Sequence, residues 1–188
     1  MQINYVTGNR MKFDIANSVF SKSKINLVQK NLDTPEIQSF HVKEIAKYSA
    51  KWARDNLNSD VMVTDAGFYI NSLNGFPGPY IKYINKWLTI EDILKLLENK
   101  EDRSIVVKDC LVYCSKSGDI KIFKNEINGI ITKEVKCECG SIIDRLVIPE
   151  SLDCTIAELS YDEAISFWSK NSNLIKFREW LEKSFHIC

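Results

Sequence analysis

The chain has 188 residues, 45% hydrophobic and 11% aromatic, enough to bury one sizeable core as a single domain that can carry two lobes. Twenty-five Lys and Arg balance twenty-five Asp and Glu, so the excess positive charge needed to grip a polyphosphate backbone is missing and no nucleic-acid polymer is expected as a partner. No apolar run approaches the roughly 18 to 20 residues that span a bilayer, and Met1-Gln2-Ile3-Asn4-Tyr5-Val6 lacks the regions of a signal peptide; a soluble, cytoplasmic chain with no membrane partner is expected.

Ile3, Tyr5 and Val6 read as a short buried strand, broken by Thr7-Gly8-Asn9. Met11, Ile15 and Val19 with Phe13, Ala16 and Phe20 then recur at helical spacing. Ile25 to Val28 reads as a second strand, and Asn31 to Phe40, containing Pro35, as a polar connection. Between Val42 and Leu57 the apolar positions Ile45, Ala46, Trp52 and Ala53 share a face with Ser49, an amphipathic helix. Val61-Met62-Val63 reads as a buried strand ending in a turn at Thr64-Asp65-Ala66-Gly67, followed by an edge strand, Phe68-Tyr69-Ile70, and the rigid loop Asn74 to Pro79.

Thr89 with Asp92 predicts a capped helix reaching Leu97. Two long strands follow, Ser104 to Ser115 and Asp119 to Thr132, joined by a hairpin turn at Ser117-Gly118-Asp119. Ile142 to Ile148 reads as another strand, Thr155 with Glu158 as a second capping box, and Leu174, Phe177, Trp180 and Leu181 as a closing helix. The order is mixed α/β with a long antiparallel pair in the middle.

Six cysteines, Cys110, Cys114, Cys137, Cys139, Cys154 and Cys188, fall in C-x3-C and C-x-C spacings with no C-x2-C pair. A chain of this length needs no disulfide staples, and on strands both even offsets put a pair on one face, so reduced thiols used as small core residues are expected rather than a zinc site. Of the two histidines, His41 reads as a solvated residue near a helix start.

Thr7-Gly8-Asn9-Arg10-Met11-Lys12 suits a phosphate, because a turn feeding a helix N-terminus presents backbone N–H donors and the positive end of the helix dipole. Lys12 adds a cation one turn in. An ordinary capped helix start explains the same pattern. Glu36, in a loop, and Asp65, directly after an apolar strand, are the carboxylates suited to a hard divalent ion, which takes one or two carboxylates plus phosphate oxygens. A turn-capping role is the alternative for Asp65.

Four segments together resemble the inosine triphosphate pyrophosphatases, enzymes that remove non-standard purine nucleoside triphosphates. They are Thr7 to Lys12, Thr34-Pro35-Glu36-Ile37-Gln38, Thr64-Asp65-Ala66-Gly67-Phe68, and Asn74-Gly75-Phe76-Pro77-Gly78-Pro79-Tyr80-Ile81-Lys82. Asp144 to Glu150 and Thr155 to Leu159 continue the match, so that it spans roughly residues 1 to 160. The resemblance implies an α/β domain over residues 1–188, two-lobed around a long mixed sheet, with the nucleotide in the cleft between lobes and a homodimer as the assembly. It also implies hydrolysis of a nucleoside triphosphate to the monophosphate and pyrophosphate, with Mg2+ as cofactor. Carried over by residue, Thr7, Gly8, Asn9 and Lys12 hold the phosphates, and Glu36 and Asp65 hold the metal. Asp65 also positions or activates the water, Lys82 faces the nucleotide, and Asp144 lies beside the base pocket.

The chain departs from that family in its site residues. Thr64 stands where an acidic residue usually precedes the metal aspartate, and Ser49 where a phosphate-contacting lysine falls. Lys47 and Lys51 are rotated from that position by about 200 degrees on a helix. Ser141-Ile142-Ile143 replaces a Phe-Gly-aromatic run that stacks the purine. Ala164 and Trp168-Ser169-Lys170 replace a lysine and a Ser-His-Arg run, Lys170 keeping one cation. Phe167 or Trp168 offers a substitute stacking ring or, more ordinarily for such spacing, a core residue. Two readings stay open: an active pyrophosphatase with altered base preference, or a nucleotide-binding protein of slow turnover.

Overall fold

A computed structural model describes residues 1–186; Cys188 lies outside the described residues. The fold is mixed α/β, and the chain divides into two compact units.

The first unit comprises Met1–Asp65, Asp109–Asn125 and the chain from Ile165 onward. It opens with β1 (Gln2–Val6), α1 (Arg10–Phe20), β2 (Asn26–Lys30) and α2 (Val42–Leu57), followed by the start of β3 (Val61–Ile70). β1 pairs in parallel with β2 from Gln2↔Asn26 to Val6↔Lys30, and with β3 through Asn4↔Val61 and Tyr5↔Met62. Parallel neighbours need crossovers, which α1 and α2 supply. α1 buries Ile15, Ala16, Val19 and Phe20, the stripe its spacing predicts. α7 (Asn173–Ser184) buries Leu174, Phe177 and Leu181 against the same core. Phe177 is the hub, with ring centroids 5.5 Å from Tyr113 and from Phe123.

The second unit comprises Ala66–Lys108 and Glu126–Ala164. It holds the rest of β3, β4 (Pro77–Gly78), α3 (Ile81–Trp87), α4 (Ile90–Leu96), α5 (Ile142–Leu146) and β7 (Val147–Pro149). Ile84, Ile93, Leu97, Ile105, Ile131 and Leu146 form its core. Arg103 fastens three carbonyls there, donating to Ile131 O at 2.8 Å, Leu97 O at 3.1 Å and Thr132 O at 2.5 Å. β5 (Ser104–Cys114) and β6 (Ile120–Ile131) are the long central strands, and α6 (Tyr161–Lys170) precedes α7. Among the described residues the strands form one seven-stranded sheet in the order β2-β1-β3-β5-β6-β7, with β4 antiparallel to β3.

Three readings of the sequence are corrected. β3 runs unbroken through Thr64-Asp65-Ala66-Gly67, with Gly67 a buried strand residue. Ile142 to Ile148 is a helical turn and then a strand. Ser141 and Asp144 close a capping box that starts α5, and the chain extends only at Val147. α3 was not anticipated: Ile84 is its one buried residue, so it carries almost no apolar stripe. The Thr89 and Asp92 capping box is present, as is that of Thr155 and Glu158, which caps a single 3-10 turn. No helix among the described residues is long and apolar enough to cross a membrane.

Candidate functional site

The turn between β1 and α1 is built by its own side chains. Thr7 Oγ1 accepts from Asn9 N at 3.1 Å, and Asn9 Oδ1 accepts from Lys12 N at 3.1 Å, making Asn9 the N-cap. The base of the turn is tied to β2 by Thr7 N donating to Lys30 O at 2.9 Å and by Gln29 Nε2 donating to Thr7 O at 3.1 Å. Gly8 and Asn9 are exposed, Thr7 and Lys12 half-buried. The cap takes the Lys12 N–H and Asn9 O accepts from Phe13 N, so the N–H groups of Arg10 and Met11 are the first-turn donors with no intrahelical acceptor, at the positive end of the helix dipole.

Asp65 follows Thr64 on β3, half-buried. The Thr64 hydroxyl is engaged with Tyr5 on β1, Tyr5 Oη lying 2.5 Å from Thr64 Oγ1. Burial raises the Tyr5 phenol well above its ordinary value, so it stays neutral. Glu36 is exposed in the connection between β2 and α2.

Asp109 on β5 went unremarked in the sequence, although an acid inside the apolar run Ser104 to Ser115 was the available signal. Burial raises its carboxyl above the usual range, and the charge of Lys12 is the strongest opposing influence. Asn173 Nδ2 donates to Asp109 Oδ2 at 2.9 Å and to its backbone oxygen at 3.0 Å. Next to it, the Cys110 thiol is pushed up to about 11, chiefly by burial, then by the negative charge of Asp109, with Asp65 contributing less. The structure thus gathers Lys12, Asp65 and Asp109 into one electrostatic neighbourhood in the first unit.

Ser49 is buried on the packed face of α2, whereas Lys47 and Lys51 are exposed, so position 49 contributes no cation. Phe167 is buried and Trp168 packs on the core of the first unit, which makes them core residues. Lys170 is exposed at the end of α6. His41 is exposed at the N-cap of α2. In the second unit, Lys82 is exposed in the first turn of α3. Asp144 accepts from Ser141 N at 3.0 Å and Ser141 Oγ at 2.7 Å through Oδ2, so its carboxylate caps α5. Among the described residues no three His, Cys, Asp or Glu side chains cluster as a metal cage. Two oxygen ligands completed by substrate suit a hard divalent ion, which does not require such a cage.

The fold and the site define a mixed α/β protein in which β1 feeds a capped helix start carrying Lys12 and its parallel neighbour β3 carries Asp65. The chain matches the Ham1 family over residues 3–180 and belongs to it. It is 36% identical over 184 residues to a dITP/XTP pyrophosphatase of Methanopyrus kandleri, covering 98% of each chain. It is 32% identical over 187 residues to a dITP/XTP pyrophosphatase of Methanothermobacter marburgensis, covering 100% of both. In fold it is similar to the Ham1 protein of Staphylococcus aureus, with a TM-score of 0.81 at 22% identity over 98% of this chain and 100% of that one. A HAM1 protein of Coxiella burnetii gives a TM-score of 0.83 at 20% identity, covering 97% and 99%.

Proposed function

We propose that the chain is a nucleoside triphosphate pyrophosphatase acting on non-standard purine nucleotides, which hydrolyses them to the monophosphate and pyrophosphate. The β1–α1 turn supports the reading: Asn9 N donates to Thr7 Oγ1 and Lys12 N to Asn9 Oδ1, bracing a turn in which Thr7, Gly8, Asn9 and Lys12 would hold the phosphates. The full-length likeness to proteins named dITP/XTP pyrophosphatase supplies the reaction class.

In this reading the helix N-terminus and Lys12 bind the phosphates, while Asp65 orients water and takes its proton. Mg2+ is the proposed cofactor, held by Glu36 and Asp65, and supplies charge neutralisation on the phosphate oxygens when bound. A homodimer in the cytoplasm is part of the same proposal. In the same proposal Asp144 lies beside the base pocket, Lys82 faces the nucleotide, and Lys170 keeps one cation for the substrate. With Ile142 and Ile143 in place of stacking rings and the Asp144 carboxylate capping α5, discrimination between purines is relaxed.

The Thr64 hydroxyl bonded to Tyr5 favours a second reading, a nucleotide-binding protein of slow turnover, because the carboxylate usually found at that position is gone. Pyrophosphate release with Mg2+ across ITP, XTP, dITP and the common ribo- and deoxyribonucleotides, with Asp65→Asn as control, separates the two. Release above the control supports the enzyme. Its absence, together with Mg2+-dependent thermal stabilisation by the same nucleotides, supports the binding protein.

A further inference from the structure

We propose that Cys137 and Cys139 form a reversible dithiol–disulfide site whose reaction partner is a low-molecular-weight disulfide of the glutathione type. The two sulphurs stand 2.6 Å apart, well inside the contact distance of unbonded sulphur atoms, against about 2.05 Å for a disulfide bond. The C-x-C pair does not lie on a strand face, as its even spacing suggested, but in the irregular segment between β6 and α5. Cys139 is exposed and Cys137 half-buried, so a small reagent reaches them.

The remaining described thiols differ. Cys110 and Cys114 are buried in β5, and burial raises both above the ordinary thiol value. Cys154 is also raised, by burial and by neighbouring carboxylates. Cys137 alone among the described cysteines is lowered, first because it accepts from the Cys139 thiol, then because Cys139 N donates to its sulphur at 3.4 Å, with the Arg145 charge adding to both. A thiolate at Cys137 is the nucleophile exchange requires.

The reaction balances without another component. The Cys137 thiolate attacks one sulphur of the small disulfide, expelling a thiolate and leaving a mixed disulfide. Cys139, deprotonated, then attacks the Cys137 sulphur, closing the ring and expelling the second thiolate. The protein loses two electrons and two protons, and the small disulfide is reduced to two thiols.

The ring would close against α5. Arg145 Nε donates to Cys137 O at 3.0 Å. Gly140 holds φ at +83, and a Cβ built there would lie 3.0 Å from Asp144 Cβ. Cys137 to Gly140 is therefore a short bracket fixed to the helical turn that carries Ser141 and Asp144. On the proposed function, which this part of the inference rests on, oxidation alters the base side of the nucleotide site.

The test is intact-mass analysis and peptide mapping of the full chain after incubation with oxidised glutathione. The expected result is loss of two hydrogens, about 2 Da, mapped to Cys137–Cys139 and reversed by a monothiol. Cys137→Ser should remain unmodified at this segment, Cys139→Ser should retain a glutathione adduct on Cys137, and Cys154→Ser should behave as wild type. A stable adduct without ring closure in the wild type, a bond mapped elsewhere, or no reaction overturns the site. Nucleotide KM, compared between reduced and oxidised protein, reads the link to α5 separately. A several-fold shift reversed by thiol supports it, and an unchanged KM after complete ring closure refutes it. Lack of turnover by the reduced protein refutes the proposed function and leaves the mass result standing.

Discussion

Replacing Asn173 by Ala removes both donations to Asp109, at 2.9 Å and 3.0 Å, from a side chain with no solvent exposure. A hydrogen bond to a charged group contributes about 1.5–3 kcal/mol, but the two share one nitrogen, and Asn173 Oδ1 is buried with no donor, so its deletion offsets part of the loss. A net cost of about 2 kcal/mol follows, or a fall in Tm of roughly 4 to 8 °C for a chain of this size.

Asp109→Asn runs the other way. Burial raises the folded-state pKa of Asp109 above its unfolded value, so the folded chain holds that proton more tightly and loses stability as pH rises from about 3.9 through the folded pKa. Asparagine cannot ionise. The variant should therefore gain on wild type across that window and keep the advantage at neutral pH. Urea unfolding of the single and double variants at pH 4 and pH 7 provides the assay. A cost below about 0.5 kcal/mol for Asn173→Ala, or no coupling in the double-mutant cycle, would refute the account.

Other perturbations have equally definite outcomes. Tyr5→Phe removes the 2.5 Å bond to Thr64 and should cost about 1 kcal/mol in chemical denaturation. Gly129→Ala should destabilise severely, by more than about 2 kcal/mol, because its Cβ would sit 2.6 Å from the Ile148 carbonyl oxygen. Gly8→Ala should leave stability nearly unchanged, since the atom met at 2.8 Å is the movable end of the Asn31 side chain, while phosphate affinity falls; thermal melts and nucleotide titration read the two effects. Thr89→Ala breaks the capping box of α4 and should cost about 1 kcal/mol, seen as a lower urea midpoint.

Much of the fold is legible in local pattern. The stripe of α1, the length of α2, the capping boxes and the two central strands need only periodicity and hydrogen-bonding side chains within a few residues of each other. The capped turn between β1 and α1 is legible for the same reason: Thr7, Asn9 and Lys12 are neighbours in sequence, and their bonds are local. Reading fails where a local signal competes with pairing. Thr64 to Gly67 looks like a turn, yet pairing carries β3 straight through it, and the apolar run from Ile142 looks like a strand, yet the cap at Ser141 decides for a helix.

The sequence by itself determined the braced helix start that carries Lys12 and supplied the carboxylates Glu36 and Asp65, because such features reside in single side chains and short turns. Only the tertiary structure decided their company. It set Asp109 against Asn173 across 64 positions, engaged Thr64 with Tyr5 across 59, buried Ser49 and Phe167, and packed the partly buried Trp168 on the core. Contacts between distant segments depend on strand order and helix packing, which a linear pattern does not encode.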